Sequence, residues 1–330
     1  MSNKPGYETK PENCGVDAAR VIAFRELRDQ ILGLLETDPQ SIRKQLSELF
    51  WQDATFRLFN LARRFSTPGQ EKSAVAGLLA NYLDTAYVTR EVVEVSRLLE
   101  RPGPDPAKGV ISLPAVVELL RKGTLVITRD VYVCHDGLPY DYEAAAAADF
   151  RKHLAAGGGF RWSSTEPTQS EFAHATFDRL SGKRPEDRQP SDTLKPGLLR
   201  WLERHLVCDE AAKILRLRNK VFAHAANSHS RGGGWEREGI SLNDVDAVHK
   251  RILEVAEVLS TSVSGDTLTP AAVPQFDILD GLSRPFIAEA DRAELYEAWA
   301  SYTHEREQWG MKSLDAAPCK KPSKRPPSRA

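Results

Sequence analysis

Cysteine is scarce in this chain: four in 330 residues, Cys14, Cys134, Cys208 and Cys319, all far apart along the sequence. That spacing contains no paired metal-ligand motif and no framework for a disulfide scaffold. Net charge is scarce as well. With 45 Lys and Arg against 46 Asp and Glu, the balance of -1 excludes a generally basic nucleic-acid coat, so any RNA contact has to be local. The sequence also lacks a secretory signal, an apolar run long enough to span a bilayer and any visible internal repeat; Met occurs only twice. These absences lead to the expectation of a soluble cytoplasmic protein in a reducing compartment, with no membrane partner.

What the chain does have is helical periodicity, on a hydrophobic content of 41% that suffices for a core. Ala18, Val21, Ile22, Leu27, Ile31 and Leu34 mark a first helix, ended by Thr37-Asp38-Pro39. A second, capped by Ser41, runs to about Phe65, and a third runs from Glu71 to about Leu99 before Arg101-Pro102-Gly103-Pro104. Long helices on short connections predict antiparallel neighbours in a bundle. Leu113 to Lys122 follows, with Ser112 as its cap and Pro114 in its first turn. The rhythm then weakens: an alanine-rich helix from Tyr142 to about Ala155, a short one from Ser170 to Ser181, and a charged, Pro-rich stretch over 182–196 that reads as a mobile loop. Long periodicity resumes from Leu198 to Ala226, from Leu242 to Val263 and from about Ala288 to Trp309. The expected fold is therefore an all-α antiparallel helical bundle with a partly irregular insertion. Its divisions are a disordered leader over 1–15, bundle helices over 16–123, the insertion over 124–196, further bundle helices over 197–310 and a basic disordered tail over 311–330.

The helix expected over 198–226 carries the feature that points to chemistry. At about 100° per residue, Ile214, Leu217, Val221 and Ala225 share an arc that Leu215 and Phe222 extend. Arg218 projects from the middle of it, while Lys213, Arg216 and Lys220 face the other way. His224 falls at the far edge, about 120° around the axis and roughly 9 Å further along it. An arginine six residues before a histidine occurs a second time, at Arg129 and His135, so spacing alone does not select a site. Context does. The second instance lies among Val, Ile, Thr and Tyr beside Gly137 and Pro139, and reads as a short extended or irregular decoy.

The run Leu217-Arg218-Asn219-Lys220-Val221-Phe222-Ala223-His224 resembles the signature of the HEPN superfamily, and more narrowly its abortive-infection branch, where R-N-K-x-x-A-H recurs. The stretches W-Q-D-A-T-F from Trp51 and I-S-L-P-A-V-V-E-L-L from Ile111 are similar to that branch too. One more residue separates the Arg from the His than in the commonest HEPN form, a spacing that the narrower branch accepts. The resemblance implies a helical fold and a composite site shared by a homodimer. For activity it implies either a metal-independent endoribonuclease or a relative that only binds, and it suggests a role as a toxin or antiviral effector with a neutralising antitoxin.

The residues suit such a reaction. RNA carries its own nucleophile, the 2′-hydroxyl beside the phosphate, so a protein need only move protons and stabilise charge. His224 has the side chain for proton transfer near neutrality, Arg218 the planar fork for phosphate oxygens, and Asn219 an amide to orient either. This set requires no metal and no cofactor. With Arg218 and His224 about 120° apart around one helix, two helices packed about a two-fold axis would bring both residue types into one groove. The alternatives left open are a catalytically inactive HEPN-like module that binds a partner protein or nucleotide, and a purely structural helical scaffold. Lesser candidates are Cys134 with His135, His205 with Cys208, and His229 with Arg231; ordinary packing or loop solvation is the expectation for all of them.

Overall fold

Capping and turn chemistry set the helix limits in the computed structural model, which describes residues 6–63, 77–105, 109–156, 165–219, 239–265, 268, 274–279 and 289–316. Helix α1 (Ala18–Leu32) starts where the Asp17 carboxylate accepts the Arg20 backbone N–H at 2.9 Å. It passes through a π turn at Gly33–Thr37 into extended Asp38. Ser41 caps α2 (Ile42–Ala62), α3 spans Gly77–Leu98, and Ser112 caps α4 (Leu113–Lys122) with Pro114 in the first turn, where its missing N–H costs nothing. Helices α5 (Arg129–Cys134), α6 (Tyr142–Ala155) and α7 (Thr165–Ser181) follow. Next come α8 (Leu198–Leu206), α9 (Asp209–Leu217) and α10 (Leu242–Ser264). A reciprocal capping box of Ser241 and Asp244 opens α10, and Gly265 closes it with a left-handed φ of 75°. The fold is all-α. Among the described residues there is no strand, only one isolated bridge between Thr128 and Thr193.

Two units divide the chain, Met1–Val273 and Pro274–Ala330. In the first, one core runs through Phe24, Leu46, Val95, Leu120, Ile214 and Val255. Helix α1 packs on α4 and α10, α8 on the same two, α2 on α3, and α9 on both α3 and α10. Polar contacts fix the directions: Asp53 with Tyr87 and Arg63 with Asp84 run α2 against α3, and His205 with Glu254 and Lys213 with Asp244 run α8 and α9 against α10. Both pairings are antiparallel, as helix length and connection length predict. The second unit contains helix α11 (Arg292–Ala316) after a 3-10 turn at Glu289–Asp291.

Four expectations are corrected. The leader is ordered from residue 6 onward: the Tyr7 hydroxyl donates to Asp29 at 2.6 Å, Thr9 bonds Asp136, and Cys14 is buried. A polar, Gly- and Pro-bearing sequence still orders when each of its few anchors finds a tertiary partner. The segment at Arg129 is helical, not extended, because Thr128 and Asp130 start a turn that its β-branched neighbours then bury. The stretch 182–196 is pinned, not loose. Arg129, wholly buried, donates to Asp178 at 2.8 Å and to Asp192 at 3.0 Å, and Arg188 grips the other side of Asp178 at 2.7 Å. At the far end, α11 continues past Trp309 to Ala316, so the first residues of the basic tail are helical; those after Ala316 lie outside the described residues.

The Arg129 cluster generates a test. Removing the buried guanidinium leaves Asp192 without its counter-charge and Asp178 with Arg188 alone, a loss of about 3–5 kcal/mol for a buried pair. Arg129→Ala is expected to lower the unfolding free energy by that order in a urea titration, whereas Arg184→Ala, at an exposed pair, leaves it within about 0.5 kcal/mol.

Candidate functional site

The single helix expected from Leu198 to Ala226 is broken at Val207 and Cys208. Val207 adopts φ -119°, ψ 89° and Cys208 is extended, its sulfur accepting the Ala211 N–H at 3.4 Å as an N-cap. Asp209 and Glu210 then place negative charge on the first turn, where the exposed N–H groups favour it. This break restarts the helix and gives α9 its own rotation. Ala211 and Ile214 are buried, Leu215 and Leu217 half-buried and Arg216 exposed. Within α9 the arc read from the sequence therefore holds.

Arg218 and Asn219 follow in a π turn at the end of α9, the Arg218 N–H reaching the carbonyls of both Ile214 and Leu215. One extra residue in the turn exposes backbone acceptors and re-aims side chains, which is why such turns recur at functional sites. Arg218 is half-buried and Asn219 exposed. The Arg218 Nε donates to the Asn219 Oδ1 at 2.9 Å. That bond has a chemical consequence. It occupies one of the two lone pairs of the only side-chain acceptor of the two residues, so donors outnumber acceptors there: the guanidinium Nη groups and the Asn219 amide hydrogens. Among the described residues no carboxylate pairs with Arg218. The arrangement suits an anion. His224, like His229, Arg231 and the Gly232–Gly234 run, lies outside the described residues.

Two ties hold this end of α9. Lys213 donates to Asp244 at 2.9 Å, and the lysine together with the Ser241 cap brings the Asp244 carboxyl down to about 2. Helix α10 is in turn fastened one turn further on. Arg57 bridges Asp53 at 2.8 Å and Asp246 at 2.7 Å, the Tyr87 hydroxyl donates to Asp53 at 2.7 Å, and buried His249 donates to Glu91 at 2.5 Å. Burial, reinforced by Asp53, pushes the Tyr87 hydroxyl upward and keeps it protonated. Each of α2, α3 and α10 thus contributes two polar side chains three or four residues apart to one cluster, buried at Asp53, Glu91 and His249 and open to solvent at Asp246. The sequence reading missed it, although its signal is present: Asp53 with Arg57, Tyr87 with Glu91 and Asp246 with His249 interrupt apolar faces at helical spacing. Asp53 belongs to the W-Q-D-A-T-F stretch.

The lesser candidates resolve as packing. Burial, with the Asp130 charge behind it, pushes the Cys134 thiol up to about 12, and burial lowers His135 to about 4. Neither is poised as nucleophile or base at neutral pH. The His135 Nδ1–H donates to the Tyr132 carbonyl at 2.9 Å, and its ring stands edge-on to Phe24. His205 stacks on Trp201 and bonds its carbonyl, while Cys208 is the helix cap already described. Among the described residues no group of three or more His, Cys, Asp or Glu side chains is placed to hold a metal ion, and no helix is long and apolar enough to cross a membrane.

The AbiU2 family of HEPN domains matches residues 40–282, a stretch that takes in α2 through α10 and the whole R-N-K-V-F-A-H run. The chain belongs to this family. No curated protein and no solved structure matches it. Its place among abortive-infection proteins of HEPN type rests on that match, which also includes the Asp53 cluster and the pinned α5–α7 segment. The match thus spans the insertion and the bundle helices α2 to α10, with α1 outside it.

The buried imidazole gives a pH test. His135 in the folded chain binds its proton only near pH 4, against 6.5 when free, so the folded state holds fewer protons between those values. Stability is then full above about 6.5 and falls as the pH drops toward 4, by about 3 kcal/mol in all at 1.36 kcal/mol per unit. Urea midpoints measured at pH 7 and pH 4.5 are expected to converge in His135→Asn relative to the unsubstituted chain.

Proposed function

We propose that this AbiU2-family protein is a metal-independent endoribonuclease in which Arg218, Asn219 and His224 perform 2′-hydroxyl transesterification on RNA. The observation that carries the reading is the donor-rich pair of Arg218 and Asn219 at the end of α9, joined by one hydrogen bond, unpaired with any described acid and followed at 224 by a histidine suited to proton transfer. In the reaction, His224 takes the proton of the 2′-hydroxyl or gives one to the leaving 5′-oxygen. Arg218 neutralises the extra charge on the phosphorane oxygens, and the Asn219 amide adds a neutral donor. The products are a 2′,3′-cyclic phosphate and a 5′-hydroxyl, with atoms and protons conserved inside the substrate.

A two-fold dimer completes the site on this reading. On the continuous helix expected from the sequence, Arg218 and His224 stand about 120° apart, so an Arg from one copy and a His from the other would reach a single phosphate more readily than the two from one copy. An arginine at a wet, anion-binding seam also escapes the cost of burial without a partner. As a growth-arresting effector in the cytoplasm, such an enzyme acts on cellular RNA and is held in check by a neutralising protein.

Purified protein incubated with total RNA in EDTA is expected to yield fragments ending in cyclic phosphate. Arg218→Ala and His224→Ala are each expected to lower the cleavage rate by about 10²–10⁴-fold with the circular dichroism spectrum unchanged. Asn219→Ala is expected to cost less. Unaltered rates in both of the first two variants overturn the assignment.

A further inference from the structure

Helix α3 packs on α2 and α9 and leaves a third side open. On that side Leu78 and Tyr82 are 72% and 68% exposed and Val93 is 40% exposed, with Thr85, Ala86 and Thr89 between them. At about 100° per residue these six side chains share an arc of about 100° that runs about 22 Å along the helix. An open groove of about 400 Å³ follows its middle, lined by Tyr82, Thr85, Ala86, Thr89, Arg90 and Val93. Arg90 is the one charge there. The acids closest to it along α3, Asp84, Glu91 and Glu94, are held by Arg63, His249 and Arg97. A contiguous apolar face of this kind marks a place where another surface sits.

The order of residues on the face matches itself when read outward from the point midway between Thr85 and Ala86. Those two small residues flank the point, Tyr82 and Thr89 stand equally far from it, and Leu78 and Val93 form the two ends. A contact about a two-fold axis demands this property, because residue i meets j while j meets i. A second α3, antiparallel and turned about that point, would set Tyr82 over Thr89 and Leu78 beside Val93. Thr85 and Ala86 would then meet where the helices cross closest, and their small side chains permit the usual separation of about 8–10 Å. The two Arg90 side chains would stand about 13 Å apart along the seam, beyond a Debye length of about 8 Å.

We propose that this face of α3 is the seam of a homodimer, covered by α3 of a second copy across a two-fold axis between Thr85 and Ala86. The two copies together bury on the order of 1,000 Å², the lower limit for a specific contact, so the dimer forms and parts with concentration. Helix α9 packs on α3, so the seam leaves α9 beside it in each copy. It supplies a contact surface for the two-fold dimer that the ribonuclease reading calls for, yet it stands on α3 alone and holds whether or not the chain cleaves RNA.

Sedimentation velocity on the full chain, from about 1 to about 100 μM, is expected to show monomer passing into dimer. Tyr82→Glu and Thr89→Glu each bury a charge in the seam, and each is expected to raise the dissociation constant at least about tenfold with the circular dichroism spectrum unchanged. Cross-linking tests the axis itself. In a chain that also carries Cys208→Ser and Cys319→Ser, Ala86→Cys is expected to form an intermolecular disulfide when diamide oxidises the two thiols, since a position beside the axis meets its own copy at about 6 Å between Cα atoms. Leu78→Cys is expected to stay reduced, its two copies standing about 22 Å apart along the seam. The proposal is overturned by a chain that remains monomeric at the highest concentration, by glutamate variants that dimerise as the unsubstituted chain does, or by Leu78→Cys cross-linking as readily as Ala86→Cys. Cleavage of RNA in EDTA is scored separately on the same preparations, so the seam can fail while the ribonuclease reading stands on another two-fold contact.

Discussion

Burial of Ala211 and Ile214 against α3 and α10 fixes the rotation of α9, and the side on which Arg218 and Asn219 emerge follows from that rotation. Moving an isoleucine side chain out of water contributes on the order of 1.5–3 kcal/mol, more than an exposed ion pair supplies. The apolar contact sets the angle and the Lys213–Asp244 pair sets the axial position. A helix rotated by even one residue, about 100°, would carry Ile214 out of the core. The restart of the helix at Cys208 makes this possible: a continuous helix from Leu198 would have tied the α9 face to the demands of α8.

The interior polar cluster acts on the same geometry from behind. Helix α10 receives α9 on its first turn, and the next turn is held by Arg57 and Glu91 through Asp246 and His249. Buried ionic groups seldom add net stability over apolar ones of the same size, but their directional bonds discriminate between registers that hydrophobic contact alone leaves close in energy. Here the buried His249–Glu91 and Tyr87–Asp53 bonds favour the observed axial alignment of the three helices. The insertion is fastened in the same manner, with Arg129 as its central cation and Asp178 and Asp192 as its anchors.

Much of this was legible in advance. The limits of α4 and α6 coincide with their expected residues because each has a strong local signal: a Ser or Asp cap at one end and a Gly or a helix-weakening run at the other. The exposure of Arg216 and the burial of Ile214 agree with the helical wheel. The break at Val207 was not legible, since Leu206, Val207 and Cys208 continue an apolar rhythm and only Asp209-Glu210 hints at a new N-terminus. The anchoring of Tyr7, Thr9 and Asp192 was hidden for a different reason. Their partners lie far off in sequence, and a polar residue that will be satisfied by a distant group looks the same as one that will face water.

Local periodicity and capping, which depend on residues within a turn or two of one another, determined by themselves that the chain is helical, where most helices begin and end, and that Ile214 faces the core while Arg216 faces out. Tertiary structure alone decided that the helix expected over 198–226 breaks at Val207 and Cys208, and that the Pro-rich stretch over 182–196 is held by a buried arginine. Those outcomes depend on which surfaces meet across the bundle. Only when α4, α8 and α9 converge does a short irregularity at Cys208 become a cavity, and only when α5 meets α7 does the charge on Arg129 find its partners.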